Sequence, residues 1–434
     1  KEKAILPFIE AAKIATEIVA QNSNPGIIDI FLGNPADTYN MGWLYKNIKT
    51  MCDKSFITQT HRKGIAVGKL FGISGISCEK LLASSTDYEH VVFEISDREF
   101  IKLPKYYAKS LLKTCNVIIY DYIEGGSFLG TSLTQTIEAL NVKPKNLYLH
   151  TTGYNFKETS IPNCTVLPNA NLFALIIAQA VDERTLNTEE AGVLFHSILD
   201  SRDSNKFKYH AFLSVRKPRE SRIKMIADLH AKKVLDDCLW SMAWSKKDSY
   251  LKYEFNNTPN IKTHQDTAKK SGDKNIKKFL KTYEKKLPRQ LPDLPSRFED
   301  VVTNDWTWGE NVRWGVSLET FTLKEHPAYA NPQGFITEKT FRLLLNGITP
   351  LVLSAAGADA ELRRIGFRIP DFGWDHLSGG ERREAITDFL IKDHKTKVSH
   401  EKYREDSFHN MMLFRDTDFL VNLMIDGLAH IDVQ

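Results

Sequence analysis

Cysteine is scarce in this chain of 434 residues: five, at positions 52, 78, 115, 164 and 238, widely spaced and with no Cys-x-x-Cys. That excludes a dense disulfide framework and a cysteine-built zinc site, and it fits a reducing cytoplasm. Long apolar runs are missing as well. No uninterrupted stretch reaches the ~18 residues of a spanning helix. Residues 1–20 read as an amphipathic helix rather than a signal peptide, although the chain does not begin with Met. A large excess of one charge is absent, and a net +4 by itself implies no polyanion partner. Gly72-Ile-Ser-Gly75 lacks the spacing of a dinucleotide fingerprint. His61 and the other histidines show no metal-ligand spacing, so no metal is expected. Asp371-Phe-Gly373 stands without the other kinase motifs, and Asp416-Thr-Asp418 reads as the N-cap of an apolar helix rather than a metal-binding pair. Repeats and low-complexity tracts are absent too.

What is there is length for two or three domains and, with 42% hydrophobic residues, the apolar content to fill their cores. Strand-like stretches at 27–35, 90–96, 116–121, 146–150 and 165–168 alternate with helical patterns near 103–114, 131–140 and 170–182. That alternation predicts an α/β fold with a doubly wound parallel sheet, whose ligands gather at the C-terminal ends of the strands. A charged stretch over 182–206 marks a crossing between domains, and the pattern restarts with a strand at 208–215 and a long helix at 220–239. Residues 256–300 shift to Lys, Asn, Thr and Pro and read as a basic insertion, a solvated excursion or a polyanion contact through Lys269, Lys270, Lys277 and Lys278. The domains are thus expected at 1–204 and 205–405, with a C-terminal helical stretch, 406–434, packing back on the first.

The organising stretch is 334–357. Thr337 starts a short helix and Gly347 ends it, while Phe341, Leu344 and Leu345 form its apolar face. Ile348 to Leu353 then reads as a buried parallel strand. Glu338 and Lys339 lie on the helix's first turn, where unpaired N–H groups and the positive dipole end attract anions. The lysine adds a point charge for phosphate, and a carboxylate can accept hydrogen bonds from a ribose diol. The same residues also suit an ordinary helix start, with a glutamate complementing the dipole.

This stretch resembles the donor-binding motif of the α1,3-fucosyltransferases, roughly Tyr-Ile-Thr-Glu-Lys-Leu followed by a helix ending in Gly and a Pro-Val-Val strand. It is also similar to glycosyltransferase-like proteins of phages and bacteria that carry Ile-Thr-Glu-Lys-Thr-Phe and a later Leu-Gly-Phe, here Glu361 to Phe367. Val316-Ser-Leu-Glu319 matches the strand ending in Glu that precedes the helix in both groups; the resemblance runs from about Lys206 to Asp375, with an interruption. It implies two Rossmann-like domains facing a cleft, the GT-B arrangement. It further implies an inverting, metal-independent transfer from a nucleotide-sugar, the only co-substrate, to an acceptor hydroxyl. Arg222 would then bind the diphosphate, with Arg216 beside it; Thr337, Glu338 and Lys339 would complete the donor site, and Glu319 would hold sugar hydroxyls or counter the Lys339 charge. Phe335 stands where those enzymes usually carry Tyr, which puts GDP-fucose in question and leaves a generic nucleotide-sugar.

Inversion needs one general base. Glu124, in Asp121-Tyr-Ile-Glu-Gly-Gly126 after a hydrophobic strand, is the first candidate; Asp97 and His150 are rivals, and each also suits a solvated turn. The acceptor is either a glycan or lipid-linked saccharide, or a hydroxymethylated base in phage DNA, in the host cytoplasm. A flipped base would need aromatics, and Trp240, Trp244, Trp306, Trp308 and Trp314 serve as well for core packing. The alternative is a non-catalytic nucleic-acid-binding protein using the basic 269–286 segment.

Overall fold

Apolar strands alternating with amphipathic helices give the chain two parallel-strand sheets and a mixed α/β fold. The computed structural model describes residues 10, 11, 14, 57–60, 65–70, 90–96, 100, 101, 105–114, 116–121, 132–151, 153, 154, 161–168, 174, 177, 178, 188–215, 218–242, 244, 260–287, 311–319 and 334–426. The chain divides into two compact units, one of Lys1–Asp182, His326–Phe335 and Arg415–Gln434, the other of Glu183–Glu325 and Ile336–Phe414.

In the first unit β1 (Ile57–Thr60) pairs antiparallel with β2 (Ile65–Leu70), which the sequence pattern missed. Next come β3 (His90–Ser96), α1 (Lys105–Thr114), β4 (Asn116–Asp121), α2 (Ser132–Leu140), β5 (Asn146–Thr151) and β6 (Cys164–Pro168), with β2 to β6 all parallel. Val117, Ile119, Leu147 and Leu149 are buried in the sheet, and Ala108, Leu111 and Leu112 of α1 are buried too. The strands stand in simple sequence order, β1 to β6. This corrects the doubly wound expectation for the described strands, because double winding requires the order to reverse. The predicted strand at 27–35 lies outside the described residues.

The second unit carries α3 (Thr188–Ser204), β7 (Tyr209–Val215), α4 (Glu220–Ala231), β8 (Leu239–Met242), α5 (Asn260–Lys270), α6 (Lys274–Tyr283) and β9 (Val312–Leu318). It continues with α7 (Glu338–Leu345), β10 (Pro350–Leu353), α8 (Ala358–Arg364), α9 (Gly379–Thr396) and α10 (Arg404–Leu413). Its sheet is all parallel in the order β10-β9-β7-β8, so the order does reverse, between β7 and β9. Both faces are covered, as an all-parallel sheet requires. Ala211, Leu213 and Val215 of β7 join the larger core with α4, α6 and α9, while Phe212 packs with Leu343 and Ile348 on the other side. Gly315 in β9 permits this: a Cβ there would sit 2.6 Å from Leu343 Cδ2 and 2.9 Å from Ile348 Cγ2.

Two sequence expectations change here. The helix expected over 220–239 ends at Ala231, with Lys233 left-handed at φ 61°, and the chain turns into β8. The described part of the basic insertion is no solvated excursion. Ile276, Phe279 and Leu280 of α6 are buried in the main core, with Phe279 edge-on to Trp240 at 6.0 Å. The C-terminal stretch forms α10 and then, in the first unit, α11 (Thr417–Asp426), which Asp416 caps by accepting from Phe419 N at 2.9 Å. Among the described residues no helix is long and apolar enough to cross a membrane.

Candidate functional site

The reversal between β7 and β9 marks the place in the second sheet where an open α/β sheet offers a ligand crevice, at the strands' C-terminal ends. Glu319 lies just past the end of β9 and is 2% exposed. Its backbone N–H continues the ladder to Leu353 O at 3.2 Å. Its side chain turns to α7 and accepts from Ser317 Oγ (2.9 Å), Thr337 N (3.1 Å) and Thr340 Oγ1 (2.6 Å) on Oε1, and from Thr337 Oγ1 (2.6 Å) on Oε2. Thr340 Oγ1 is also 2.7 Å from Ser317 Oγ, which closes a triangle of oxygens. A buried carboxylate is costly unless hydrogen-bonded and balanced, and here it is both. Lys339 Nζ stands 3.9 Å from Glu319 Oε2.

Thr337 is thus the hinge pin of the first turn. Its hydroxyl accepts from Lys339 N at 3.5 Å and from Lys339 Nζ at 2.9 Å while donating to Glu319. Lys339 Nζ also pairs with Glu338 Oε1 at 3.2 Å. The lysine side chain is 26% exposed and that of Glu338 13%. At the other end Gly347 takes φ 61°, where a Cβ would stand 2.6 Å from Met411 Sδ and 2.8 Å from Ile198 Cγ2. Thr337 and Gly347 therefore start and stop α7 as the sequence predicts.

Placement divides the expected donor residues. Glu338 and Lys339 are the partly exposed pair. Arg222, in the first turn of α4, is buried, and its Nη2 donates to Leu318 O (2.9 Å) and Glu319 O (2.8 Å). In this structure it secures the end of β9 rather than facing solvent. Phe335 is buried and bridges to Gly153 within the first unit, where Tyr154 N donates to Gly334 O at 3.0 Å. Arg216, Glu124 and Asp97 lie outside the described residues, as do Trp306 and Trp308. Trp240, Trp244 and Trp314 are core residues, Trp314 donating to Asp393 Oδ2 at 2.7 Å. Lys269, Lys270, Lys277 and Lys278 are exposed, Lys269 pairing with Glu284 at 2.6 Å.

Ser317 and Thr340 went unnoticed in the sequence. Ser-x-Glu on one side of a strand end, and Thr-x-x-Thr across a helix start, are the signals that identify them. The cluster offers one negative and one positive side chain on an anion-attracting helix start, backed by a rigid buried acid. Among the described residues no group of three or more His, Cys, Asp or Glu side chains is placed to hold a metal ion. The chain matches no protein-family model, no curated protein and no solved structure.

Proposed function

We propose that the second unit binds a nucleotide-sugar at the start of α7 and that the chain is a glycosyltransferase of the GT-B class. One observation carries the reading: the first turn of α7 is locked by Glu319 to the C-terminal end of β9, beside the strand-order reversal, with Glu338 and Lys339 at its surface. In this reading Lys339 and the helix start hold the diphosphate, and Glu338 takes the ribose hydroxyls. The bond from the sugar's anomeric carbon to the diphosphate breaks as the acceptor oxygen bonds to that carbon, and a base takes the acceptor's proton. Charge building on the leaving diphosphate is met by Lys339 and the helix dipole. Arg222 acts by positioning, holding the strand end from which Glu319 projects. Inversion, with Glu124 or Asp97 as the base, and a glycan or lipid-linked saccharide as acceptor complete the proposal.

A thermal-shift series with UDP, GDP, CDP and their sugars tests the donor site. One nucleotide is expected to stabilise the wild-type protein, by about 2.7 kcal/mol at a hundredfold excess over Kd. Glu338→Ala and Lys339→Ala are each expected to remove that shift; Lys339→Ala, which also takes away the charge balancing Glu319, should lower the unliganded melting temperature as well. Absence of any shift at millimolar nucleotide would sink the proposal.

A further inference from the structure

One helical pair, α5 and α6, carries a marked surplus of positive charge. Residues 260–287 hold nine lysines against Asp266, Asp273 and Glu284, a surplus of six in a chain whose whole net charge is +4. The fold fixes where this charge points. α6 buries Ile276, Phe279 and Leu280 in the core, so at about 100° per residue Lys274, Lys277, Lys278 and Lys281 share an opposite arc of about 100°. All four are exposed.

Three of the nearby acids are engaged around α4 and α6. Asp228 accepts from Lys224 (2.5 Å) and Asn275 (2.7 Å), and Asp236 accepts from Tyr283 Oη (3.0 Å). Asp273 caps α6 through Asn275 N (2.8 Å) and Ile276 N (3.0 Å) and pairs with Lys224 (3.0 Å). Among the described residues none of the four outward lysines has a carboxylate in ion-pair range.

We infer that the outward face of α6, with Lys270 at its approach, is a docking surface for the sugar-phosphate backbone of a nucleic-acid duplex. From Lys274 to Lys281 the helix rises about 10 Å, a length over which a duplex presents about six phosphates. The face is built of lysine without arginine, which suits point contacts to phosphate and not the forked reading of base edges. It carries no apolar wedge for a membrane: the exposed large hydrophobics among the described residues are Tyr106, Val398, Phe408 and Met412, none on α5 or α6. The inference stands apart from the glycosyltransferase reading, since no residue of the α7 site takes part.

The test is fluorescence anisotropy with a labelled 20-base-pair duplex of arbitrary sequence over 50–300 mM salt. Two quadruple variants are compared with the wild-type protein. One replaces Lys274, Lys277, Lys278 and Lys281 with Gln, and the other so replaces Lys113, Lys145, Lys392 and Lys395, exposed lysines outside α5 and α6. Each lowers the formal charge equally, and melting curves confirm that both fold. Wild type is expected to bind with a log–log salt slope of about −3 to −4, as four phosphate contacts require. The α6 variant should lose at least tenfold in affinity at 50 mM salt and flatten that slope by about three, with the control within twofold of wild type. Equal losses in both variants would reduce the effect to net charge and overturn the inference. So would a wild-type protein that ignores the duplex, or one that prefers anionic phosphatidylserine vesicles to it.

Discussion

At the scale of single residues, the second unit holds a cationic cluster that no sequence motif announced. Arg313 is buried and grips Asp393 through Nε at 2.7 Å and Nη2 at 3.2 Å; it also donates to Val398 O and, at 2.7 Å, to Asn205 Oδ1. His400 is fully buried against Trp314, with ring centroids 4.3 Å apart, and neither ring nitrogen has a hydrogen-bond partner among the described residues. Burial, then the charges of Arg202 and Arg313, push its pKa down to about 2. A histidine held neutral in the folded state contributes stability present above its unfolded pKa of about 6.5, and that contribution is lost as pH falls toward 2. Stability should therefore fall below pH 6.5 by up to about 1.4 kcal/mol per pH unit from this group. His400→Phe should flatten this limb and raise stability at pH 6 by about 1–2 kcal/mol, because it removes unsatisfied buried nitrogens. Chemical denaturation at pH 5, 6 and 7 measures both effects, and an unchanged slope in the variant would exclude His400 as their source. Asp393 acts in a separate window. Burial alone would raise its pKa, but hydrogen bonds from Arg313 and Trp314 and the arginine's charge outweigh it and hold the pKa below the ordinary value. Its contribution is present above about pH 4 and is lost as pH falls through the lowered folded pKa. Positions 202, 313, 393 and 400 meet only through tertiary packing, so a single sequence gives no sign of them.

At the scale of elements, α7 was legible and its anchoring was only half so. Thr337, Gly347 and the apolar face of α7 are local signals, and local signals define short helices well. Glu319 was read as holding sugar hydroxyls or countering the Lys339 charge; it faces inward with Lys339 Nζ 3.9 Å away, and burial at a strand end depends on what packs over it. Similarly, α4 looked longer because Val234 and Leu235 continue its apolar rhythm, whereas the left-handed Lys233 ends the helix. The lysines of α6 drew attention to solvent while Ile276, Phe279 and Leu280 took the core. The clamp makes a direct prediction. Glu319→Gln places an amide donor among hydroxyl and N–H donors and should cost about 3 kcal/mol, whereas Ser317→Ala should cost about 1 kcal/mol. If α7's first turn is set by Glu319, the Gln variant should also weaken the nucleotide-induced thermal shift at least tenfold in apparent affinity. A Gln variant as stable and as responsive as wild type would show that the helix start is fixed by other contacts.

At the scale of the molecule, the alternation of strands and helices was readable, but the order of strands was not. Parallel neighbours are joined by crossovers, so pairing is decided far along the chain rather than by any local pattern. The outcome is two different sheets, one in plain sequence order and one with a reversal between β7 and β9. Among the described strands, only the second sheet thus has the crevice that open α/β sheets use for ligands. That asymmetry argues that a nucleotide will be felt by one unit alone. In hydrogen exchange with the nucleotide that shifts melting, amides at the end of β9 and over the start of α7 should slow by tenfold or more. Those of β3 to β6 should exchange as they do without it, since local protection follows the contacts a ligand makes. Protection confined to the first sheet would place the donor there and overturn the role given to Glu338 and Lys339.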